Sequence, residues 1–168
     1  MLVVFSGLSG TGKSTIAGEL AKRLPAFYLR LDSLEMALVN SGLVSDQWDL
    51  GPAGYYAGYA VAGDNLRLGH SVVADCVNPL DITRDAWRQV ALEAGAPCLE
   101  VEVVCSDIAE HRRRVESRQA DIPGLKLPGW QAVQAREYQP WQREHVMLDS
   151  ALLSAQEAVD RLLNLSVF

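Results

Sequence analysis

Five short apolar runs divide the sequence, and between them apolar residues recur at the three- and four-residue spacing of helices. The runs are residues 2–5, 27–31, 71–74, 99–104 and 146–148. Most of them are continuous rather than alternating, which is typical of strands covered on both faces of a parallel sheet. The regular alternation of runs and helical segments predicts an α/β fold, built as one domain over residues 1–168.

The helical segments have recognisable limits. A helix over 53–68 should stop at Gly69, since glycine is the usual residue just past a helix end. A helical region over 130–144 is interrupted at Pro140. The last helix should open at Ser154 with Glu157 three residues later, the pattern of a capping box, and run to about residue 163.

The turn after the first run is rich in glycine and reads Gly7-Leu8-Ser9-Gly10-Thr11-Gly12-Lys13-Ser14. It fits the phosphate-binding pattern G-x-x-x-x-G-K-[ST] at every fixed position and lies between a strand and a helix, as that pattern requires. Glycines let backbone N–H groups surround an anion, and a helix N-terminus adds free donors and partial positive charge. Lys13 can then reach the β and γ phosphates of a nucleotide, and the Ser14 hydroxyl can bind Mg²⁺. The alternative is a turn that binds nothing.

Acidic residues follow the second and third runs. Because ligands of open α/β sheets bind at the carboxyl ends of the strands, Asp32 is a candidate catalytic or substrate-binding carboxylate. Its spacing from Glu35 also fits an N-cap with its partner at the third helical position, so capping alone is the alternative. Asp75 ends the third strand, where a phosphate-loop site holds Mg²⁺ or its water.

Aromatic and basic residues offer two further candidates on the acceptor side. Trp48, Tyr55 and Tyr59 indicate an aromatic substrate pocket, although an aromatic stripe at helical spacing is also typical of core. Arg84 and Arg88 share a helix face and could clamp an anion, or that face could simply be solvated.

A helix after the fourth strand carries several arginines, and the segment that follows it holds two prolines and two glycines within 119–129. Arginines beside a flexible segment can close over a nucleotide. Their guanidinium groups stack on the base and bind phosphates through two N–H groups at once. We therefore expect at least one of these arginines to function, against the alternative of a basic face that balances Glu110 and Glu116. Arg114 and Arg118 share one flank of the helix.

The composition is that of an ordinary globular domain, with 49% hydrophobic and 21% charged residues. A net charge of −6 argues against a general nucleic-acid surface. No apolar run is long enough to span a bilayer, and the first residues lack the features of a signal peptide. Cys76, Cys98 and Cys105 lack metal-ligand spacing, so buried reduced thiols and a cytoplasmic location are expected.

The order of these features resembles the phosphate-loop small-molecule kinases, which include gluconate, shikimate, adenylylsulfate, chloramphenicol and nucleoside monophosphate kinases. The sequence looks most similar to AAA-family ATP-binding kinases of the zeta-toxin and chloramphenicol-phosphotransferase type. The resemblance covers nearly the whole chain, although only the phosphate loop is specific as a motif. It implies a five-stranded parallel sheet in the order 2-3-1-4-5, a substrate-binding segment near 33–69 and a lid near 112–136.

The same resemblance implies ATP and Mg²⁺, together with a role for each site residue. Residues 7–14 would hold the phosphates, and Thr15 would lie near the α-phosphate. Asp32 would orient or deprotonate the acceptor hydroxyl, and Arg118, with Arg114 as a second candidate, would contact adenine and phosphates. Arg84 would contact the substrate, and residues 48–59 would form the variable part of its binding site.

The expected activity is transfer of the γ-phosphate of ATP to a hydroxyl group of a small molecule. The guanine-binding motif Asn-Lys-x-Asp is missing from the sequence, which argues against a GTPase. Two alternatives remain: a polynucleotide 5′-hydroxyl kinase, against which the acidic charge weighs, and a non-catalytic ATP-binding module that signals to a partner protein.

Overall fold

The computed structural model describes residues 1–165 and forms one five-stranded sheet. Its strands are β1 Leu2–Ser6, β2 Phe27–Arg30, β3 Val72–Asp75, β4 Cys98–Val104 and β5 Val146–Asp149. All neighbouring strands are parallel, in the order β2-β3-β1-β4-β5. The predicted α/β class and strand order are confirmed, and each strand end lies within one residue of its prediction.

Seven helices connect and cover the strands in the described part of the chain. They are α1 Lys13–Arg23, α2 Leu31–Asn40, α3 Ala53–Arg67, α4 Asp81–Glu93, α5 Ile108–Ser117, α6 Trp130–Ala135 and α7 Ala155–Leu163. A single 3₁₀ turn, Gln47–Leu50, precedes α3. The capping box that opens α7 is present as predicted. Within residues 1–165, the helices are all too short or too polar to cross a membrane.

The sheet is buried on both faces, which explains the continuous apolar runs. In β1, Val3 and Phe5 join the core that α1 and α7 cover, whereas Leu2 and Val4 join the core on the opposite face. All four side chains are fully buried. A strand buried on both faces has no polar position, so its sequence loses the period-two alternation of a half-exposed strand.

The helix expected over 130–144 is wrong beyond its first part, because α6 ends at Ala135. The chain from Arg136 to His145 instead makes tertiary hydrogen bonds to the residues at the start of α4. The N–H of Gln139 donates to the carbonyl of Pro79 at 2.8 Å, and the Gln139 side-chain oxygen accepts from the N–H of Asp81 at 2.8 Å. These bonds replace the helical ones that Pro140 would have interrupted.

The expected substrate contact of Arg84 is also wrong, because this side chain is fully buried outside the cavity described below. Its guanidinium lies 4.2 Å from the ring centre of Trp141 and 5.0 Å from that of Tyr138. Its N–H groups donate to Asn78, Pro79, Asp81 and Gln139. Arg84 therefore ties α4 to the chain beyond α6, a role that helical spacing alone could not reveal.

We expect Arg84→Met to lower the free energy of unfolding by about 2–4 kcal/mol, because the carbonyls of Asn78, Pro79 and Gln139 would each lose one charged donor. The measurement is urea denaturation followed by circular dichroism. Arg67→Met is the control, since Arg67 is half-exposed and pairs only with Asp64; its cost should stay below about 0.5 kcal/mol. Equal costs for the two variants would contradict the structural role of Arg84.

The cysteines agree only partly with their prediction. All three are free thiols, but only Cys76 is buried, whereas Cys98 is exposed at the start of β4. An apolar run is therefore a poor guide to the exposure of its first residue.

Candidate functional site

A cleft of about 490 Å³ opens at the carboxyl ends of β1, β2 and β3. The glycine-rich turn forms its floor and leads directly into α1, whose N-cap is Gly12 with φ of 90°. The first-turn N–H groups of α1 have no helical acceptor and face this end of the sheet. The cleft is lined by six cationic side chains, Lys13, Arg30, Arg114, Arg118, Lys126 and Arg136, and by four acidic ones, Asp32, Glu35, Asp75 and Asp121.

Two glycines of the turn are required by close contacts. A Cβ on Gly7 would lie 2.3 Å from the carbonyl oxygen of Val103, and a Cβ on Gly10 would lie 2.5 Å from Cγ2 of Val115. Both residues also have positive φ, which disfavours any other residue. His111 holds the turn from α5 through a 2.9 Å contact between its Nε2 and the Ser9 carbonyl.

Most of the predicted phosphate-binding residues line the cleft, namely Ser9, Gly10, Gly12, Lys13, Ser14 and Thr15. Gly7 and Thr11 do not. The N–H of Gly7 donates to the carbonyl of Val77 at 3.0 Å, and the Thr11 hydroxyl donates to that of Leu8 at 2.9 Å. These two residues therefore shape the turn, and the expectation that they contact phosphate is corrected.

Asp75 ends β3 against the cleft and is almost fully buried. The hydroxyl of Tyr28 donates to its Oδ2 at 2.8 Å, whereas its Oδ1 is buried and has no partner among residues 1–165. Burial, and next the Asp75 carboxylate, raise the pKa of Tyr28. A bare carboxylate oxygen at the cleft that Ser14 also lines fits a Mg²⁺ ion or its water. Among residues 1–165 no cluster of three His, Cys, Asp or Glu side chains is present, so such an ion would also need phosphate and water oxygens.

The two candidate arginines differ in their freedom to bind a ligand. Arg114 is committed to the protein, because its Nε donates to Glu110 at 2.7 Å and its two Nη atoms donate to Ser150. In the described part of the chain, Arg118 has buried Nε and Nη2 atoms with no partner, and burial lowers its pKa. Unpaired guanidinium donors at the cleft fit an anion. Arg118 is therefore the better candidate for contact with nucleotide phosphates.

Asp32 and Glu35 both line the cleft from the first turns of α2. The capping alternative for this pair is wrong: the N-cap is Arg30, no side chain caps the helix, and Asp32 is already its second residue. The Asp32 carboxylate lies 3.7 Å from Nη2 of Arg30 and its side chain stays 44% exposed. Asp32 therefore presents a carboxylate to the cleft, as a group that contacts an acceptor must.

Glu35 was missed as a functional residue because its spacing from Asp32 already had an explanation. Burial, and next the charge of Asp32, raise the pKa of Glu35 to about 7, whereas the charge of Arg136 acts in the opposite direction. The side chain packs on Gly54, where an added Cβ would lie 2.4 Å from Glu35 Cγ. Residues three apart share a helix face. The spacing of Asp32 and Glu35 in the sequence could therefore have predicted that both acids face one cavity.

The raised pKa of Glu35 predicts a stability that depends on pH. In the unfolded chain the pKa of Glu35 is near 4.3, so between about pH 4.5 and 7 the folded state holds a proton that the unfolded state has released. The contribution of Glu35 to the free energy of unfolding is therefore fully present below about pH 4.5 and is lost as pH rises through 7. Relative to wild type, Glu35→Gln should gain on the order of 2 kcal/mol of stability between pH 5 and 8, after allowance for solvent in the cleft.

Urea unfolding at pH 5, 6, 7 and 8 would measure this difference. Glu19→Gln is the control, because Glu19 lies on the outer side of α1 and pairs only with Lys22. If the wild type and Glu35→Gln show parallel pH profiles, the pKa of Glu35 is not raised.

The predicted aromatic residues separate into two groups. Trp48 and Tyr55 line the cleft, and the Tyr55 hydroxyl accepts from the N–H of Asn78 at 2.9 Å. Tyr59 lies outside the cleft, with its ring edge-on to Trp87 at 4.7 Å between centres and its hydroxyl donating to the Thr83 carbonyl. The expectation that Tyr59 binds substrate is therefore corrected: it is core.

The segment 118–129 lines the cleft opposite the phosphate loop and is tied to the acceptor side by three links. Arg30 donates twice to the Asp121 carboxylate, at 2.5 and 2.9 Å. The Gln47 side chain bonds both the N–H and the carbonyl of Lys126, at 2.9 and 3.0 Å. Lys126 also forms an ion pair with Asp46. No sequence pattern predicts these links, because each joins residues far apart in the chain.

Solved structures of other proteins share this architecture. The Mycobacterium tuberculosis APS kinase CysC, solved with AMPPNP and APS, is 25% identical with a TM-score of 0.72, covering 97% of this chain and 95% of that one. A gluconokinase from Sinorhizobium meliloti 1021 is 20% identical with a TM-score of 0.65, covering 96% and 88%. Kti12 from Chaetomium thermophilum, solved with ADP-AlF3, is 21% identical with a TM-score of 0.69, covering 98% of each chain.

Curated protein sequences gave no significant match to the chain. The family model described as an AAA domain matches residues 2–135. This range contains the phosphate loop, both acids of α2, Asp75 and the two arginines of the cleft. The match spans most of the sequence. The chain therefore belongs to the AAA domain family, and it has the phosphate-loop kinase fold.

Proposed function

We propose that the protein transfers the γ-phosphate of ATP to a hydroxyl group of a small molecule, with Mg²⁺ as cofactor. One observation carries the proposal: a single cleft joins a complete phosphate loop to the carboxylate of Asp32. A phosphate-binding turn alone would serve any nucleotide-binding protein. An acid facing the same cavity supplies the second requirement of a kinase, a group that aligns an acceptor.

The donor half of the cleft supplies positive charge where phosphoryl transfer needs it. The first-turn N–H groups of α1 and the Lys13 ammonium would bind the phosphates, and the buried donors of Arg118 would neutralise charge that spreads over the transferring group. Ser14 and Asp75 would hold Mg²⁺, which when bound would supply positive charge against the phosphates. The partnerless Oδ1 of Asp75 supports this assignment.

The acceptor half of the cleft supplies alignment. Asp32 would accept a hydrogen bond from the acceptor hydroxyl, hold its oxygen toward the γ-phosphate and take its proton late in the reaction. The segment 118–129 would act as the lid, because its links to Arg30 and Gln47 hold it against the acceptor side. A closed lid excludes water, which is the competing acceptor.

The test is a phosphotransfer assay with ATP, Mg²⁺ and a panel of sugars, nucleosides, amino alcohols and aromatic alcohols. ADP formation would be followed by a coupled assay, and the product would be identified by mass spectrometry. We expect one class to gain a phosphoryl group and to raise the thermal midpoint with AMP-PNP bound. A compound that binds beside AMP-PNP yet is never phosphorylated would contradict the proposal.

A second candidate is an ATP-binding regulatory module that signals by lid closure. Kti12, whose name is not that of a kinase, shares the fold over 98% of both chains. The fold therefore extends beyond proteins named as kinases. The two candidates separate in the same assay, because a regulatory module would form ADP without any phosphorylated product.

A further inference from the structure

Glu35 is a carboxyl group in the acceptor half of the cleft that has no partner among residues 1–165. Among the described residues nothing donates a hydrogen bond to it, and no cation lies within ion-pair distance. By contrast, Asp121 is held by Arg30, and Asp75 accepts from Tyr28. A half-buried acid is costly unless it is hydrogen-bonded. Its partner is therefore best sought in a ligand of the cleft.

The space around Glu35 is shaped for its carboxyl group. The first turn of α3 passes directly over it, and Oε1 lies 2.7 Å from the position that a Cβ on Gly54 would take. Any larger residue at position 54 would displace the carboxyl. The side chain is thus confined between α2, α3 and the cleft, which it lines together with Asp32 and Tyr55.

The spacing of the two acids sets the geometry of a ligand that would touch both. Residues three apart on a helix have Cβ atoms about 5–6 Å apart. A small molecule whose reacting hydroxyl meets Asp32 can therefore offer Glu35 a second polar group on a neighbouring carbon. An acceptor with a single hydroxyl would leave Glu35 without a partner. The Glu35 carboxyl would then lose water without gaining a hydrogen bond.

The charges around Glu35 favour a hydroxyl over an ammonium as this second group. Arg136 lines the cleft and its charge acts on Glu35, so it would repel a cationic ligand there. Arg30 and Lys126 line the same cleft, but their charges are paired with Asp121 and Asp46. A hydroxyl carries no charge and both donates and accepts. It can therefore bond the Glu35 carboxyl in either protonation state, whereas an ammonium needs the ionised form. The flat apolar faces of Trp48 and Tyr55 suit the carbon skeleton of such a compound.

We propose that Glu35 is a specificity-determining residue that binds a second hydroxyl of the acceptor, which makes the acceptor a neutral compound with two neighbouring hydroxyl groups. The inference rests on the proposed function for the role of Asp32. In addition, it states which compounds the cleft would select. Glu35, which has no role in the chemical step, would make that selection.

The test measures binding, not turnover, with AMP-PNP and Mg²⁺ saturating the donor half. The probes are matched pairs in which removal of one hydroxyl leaves no two neighbouring hydroxyl groups: uridine and 2′-deoxyuridine, cytidine and 2′-deoxycytidine, cis-1,2-cyclohexanediol and cyclohexanol. D-glucosamine, compared with D-glucose, tests an ammonium in place of a hydroxyl. Affinities come from thermal-shift titrations and from NMR of ¹³C-labelled carboxyl groups. We expect at least one diol to bind about 10-fold or more tightly than its deoxy partner, and D-glucosamine to bind more weakly than D-glucose.

Two variants connect the selectivity to Glu35. Glu35→Ala should reduce the diol preference to less than about 3-fold, whereas Glu35→Gln should retain part of it, because an amide still bonds a hydroxyl. Both should bind AMP-PNP as the wild type does. Glu19→Gln, on the far side of α1, should keep the full preference. A purely structural role for Glu35 would change the thermal midpoint of every complex and leave the diol preference intact.

Three results would overturn the inference: no diol binds more tightly than its deoxy partner, D-glucosamine binds more tightly than D-glucose, or Glu35→Ala retains the preference. Failure of the proposed function is separately visible. Diol selectivity without phosphate transfer would remove the kinase and leave the ligand class in place. Equal phosphorylation of both members of a pair would leave the kinase in place and remove the role of Glu35.

Discussion

Replacing Lys13 with alanine is expected to lower phosphotransfer from ATP by about 10³-fold or more. Lys13 is the cationic residue of the phosphate loop, and its ammonium would contact the transferring phosphate. The side chain is only 9% exposed and lines the cleft at the N-terminus of α1. A buried point charge stabilises a developing anion far more strongly than an exposed one. The measurement is ADP formation with the acceptor found in the panel, together with calorimetric titration of AMP-PNP, whose affinity should also fall.

The matched control for this loss is Lys22→Ala. Lys22 lies on the same helix, and its side chain is 77% exposed and pairs only with Glu19. Its removal should leave turnover within about twofold of wild type, as expected for a surface ion pair. Lys13→Arg should not restore activity, because the planar fork of arginine cannot occupy the space of an ammonium. Retention of a tenth of the activity in Lys13→Ala would contradict the assignment.

The sequence was sufficient for the fold because the decisive signals are local. The run before Gly7 and the helix after Lys13 are adjacent in the chain, so the phosphate loop could be recognised with both its flanks. Strands buried on both faces leave continuous apolar runs, and the strand order follows from the family that the loop indicates. Capping at Ser154 is likewise a matter of four consecutive residues.

The acceptor half was predicted less well because its residues act through tertiary contacts. Arg84 shares a helical spacing with many binding arginines, but its position under Trp141 depends on a segment more than fifty residues later. Tyr55 and Tyr59 lie one turn apart and both pack against the core, yet Tyr59 lies edge-on to Trp87 whereas Tyr55 reaches the cleft. Glu35 was assigned to a cap because the helix start was placed two residues too late. A two-residue error at a helix N-terminus converts a cavity-lining acid into a predicted cap.

The same dependence on tertiary contacts makes Asp32 the sharpest test of the acceptor half. We expect Asp32→Asn to lower kcat by about 10²–10⁴-fold, because the amide keeps the shape of the side chain but cannot take a proton from the acceptor. The affinity for AMP-PNP should change less than about threefold, since Asp32 lies on α2, outside the phosphate loop. Steady-state kinetics with the identified acceptor and calorimetry with AMP-PNP measure the two quantities independently.

The control is Asp64→Asn on the exposed side of α3, where the carboxylate pairs only with Arg67; its kinetics should match wild type. The pattern of loss in Asp32→Asn separates two roles for the carboxylate. If Asp32 only binds the acceptor, KM should rise while kcat is preserved, whereas a group that aligns and deprotonates the hydroxyl lowers kcat itself. Full activity in Asp32→Asn would assign alignment of the acceptor to another group of the cleft, and Glu35, one turn along the same helix, would be the next residue to replace.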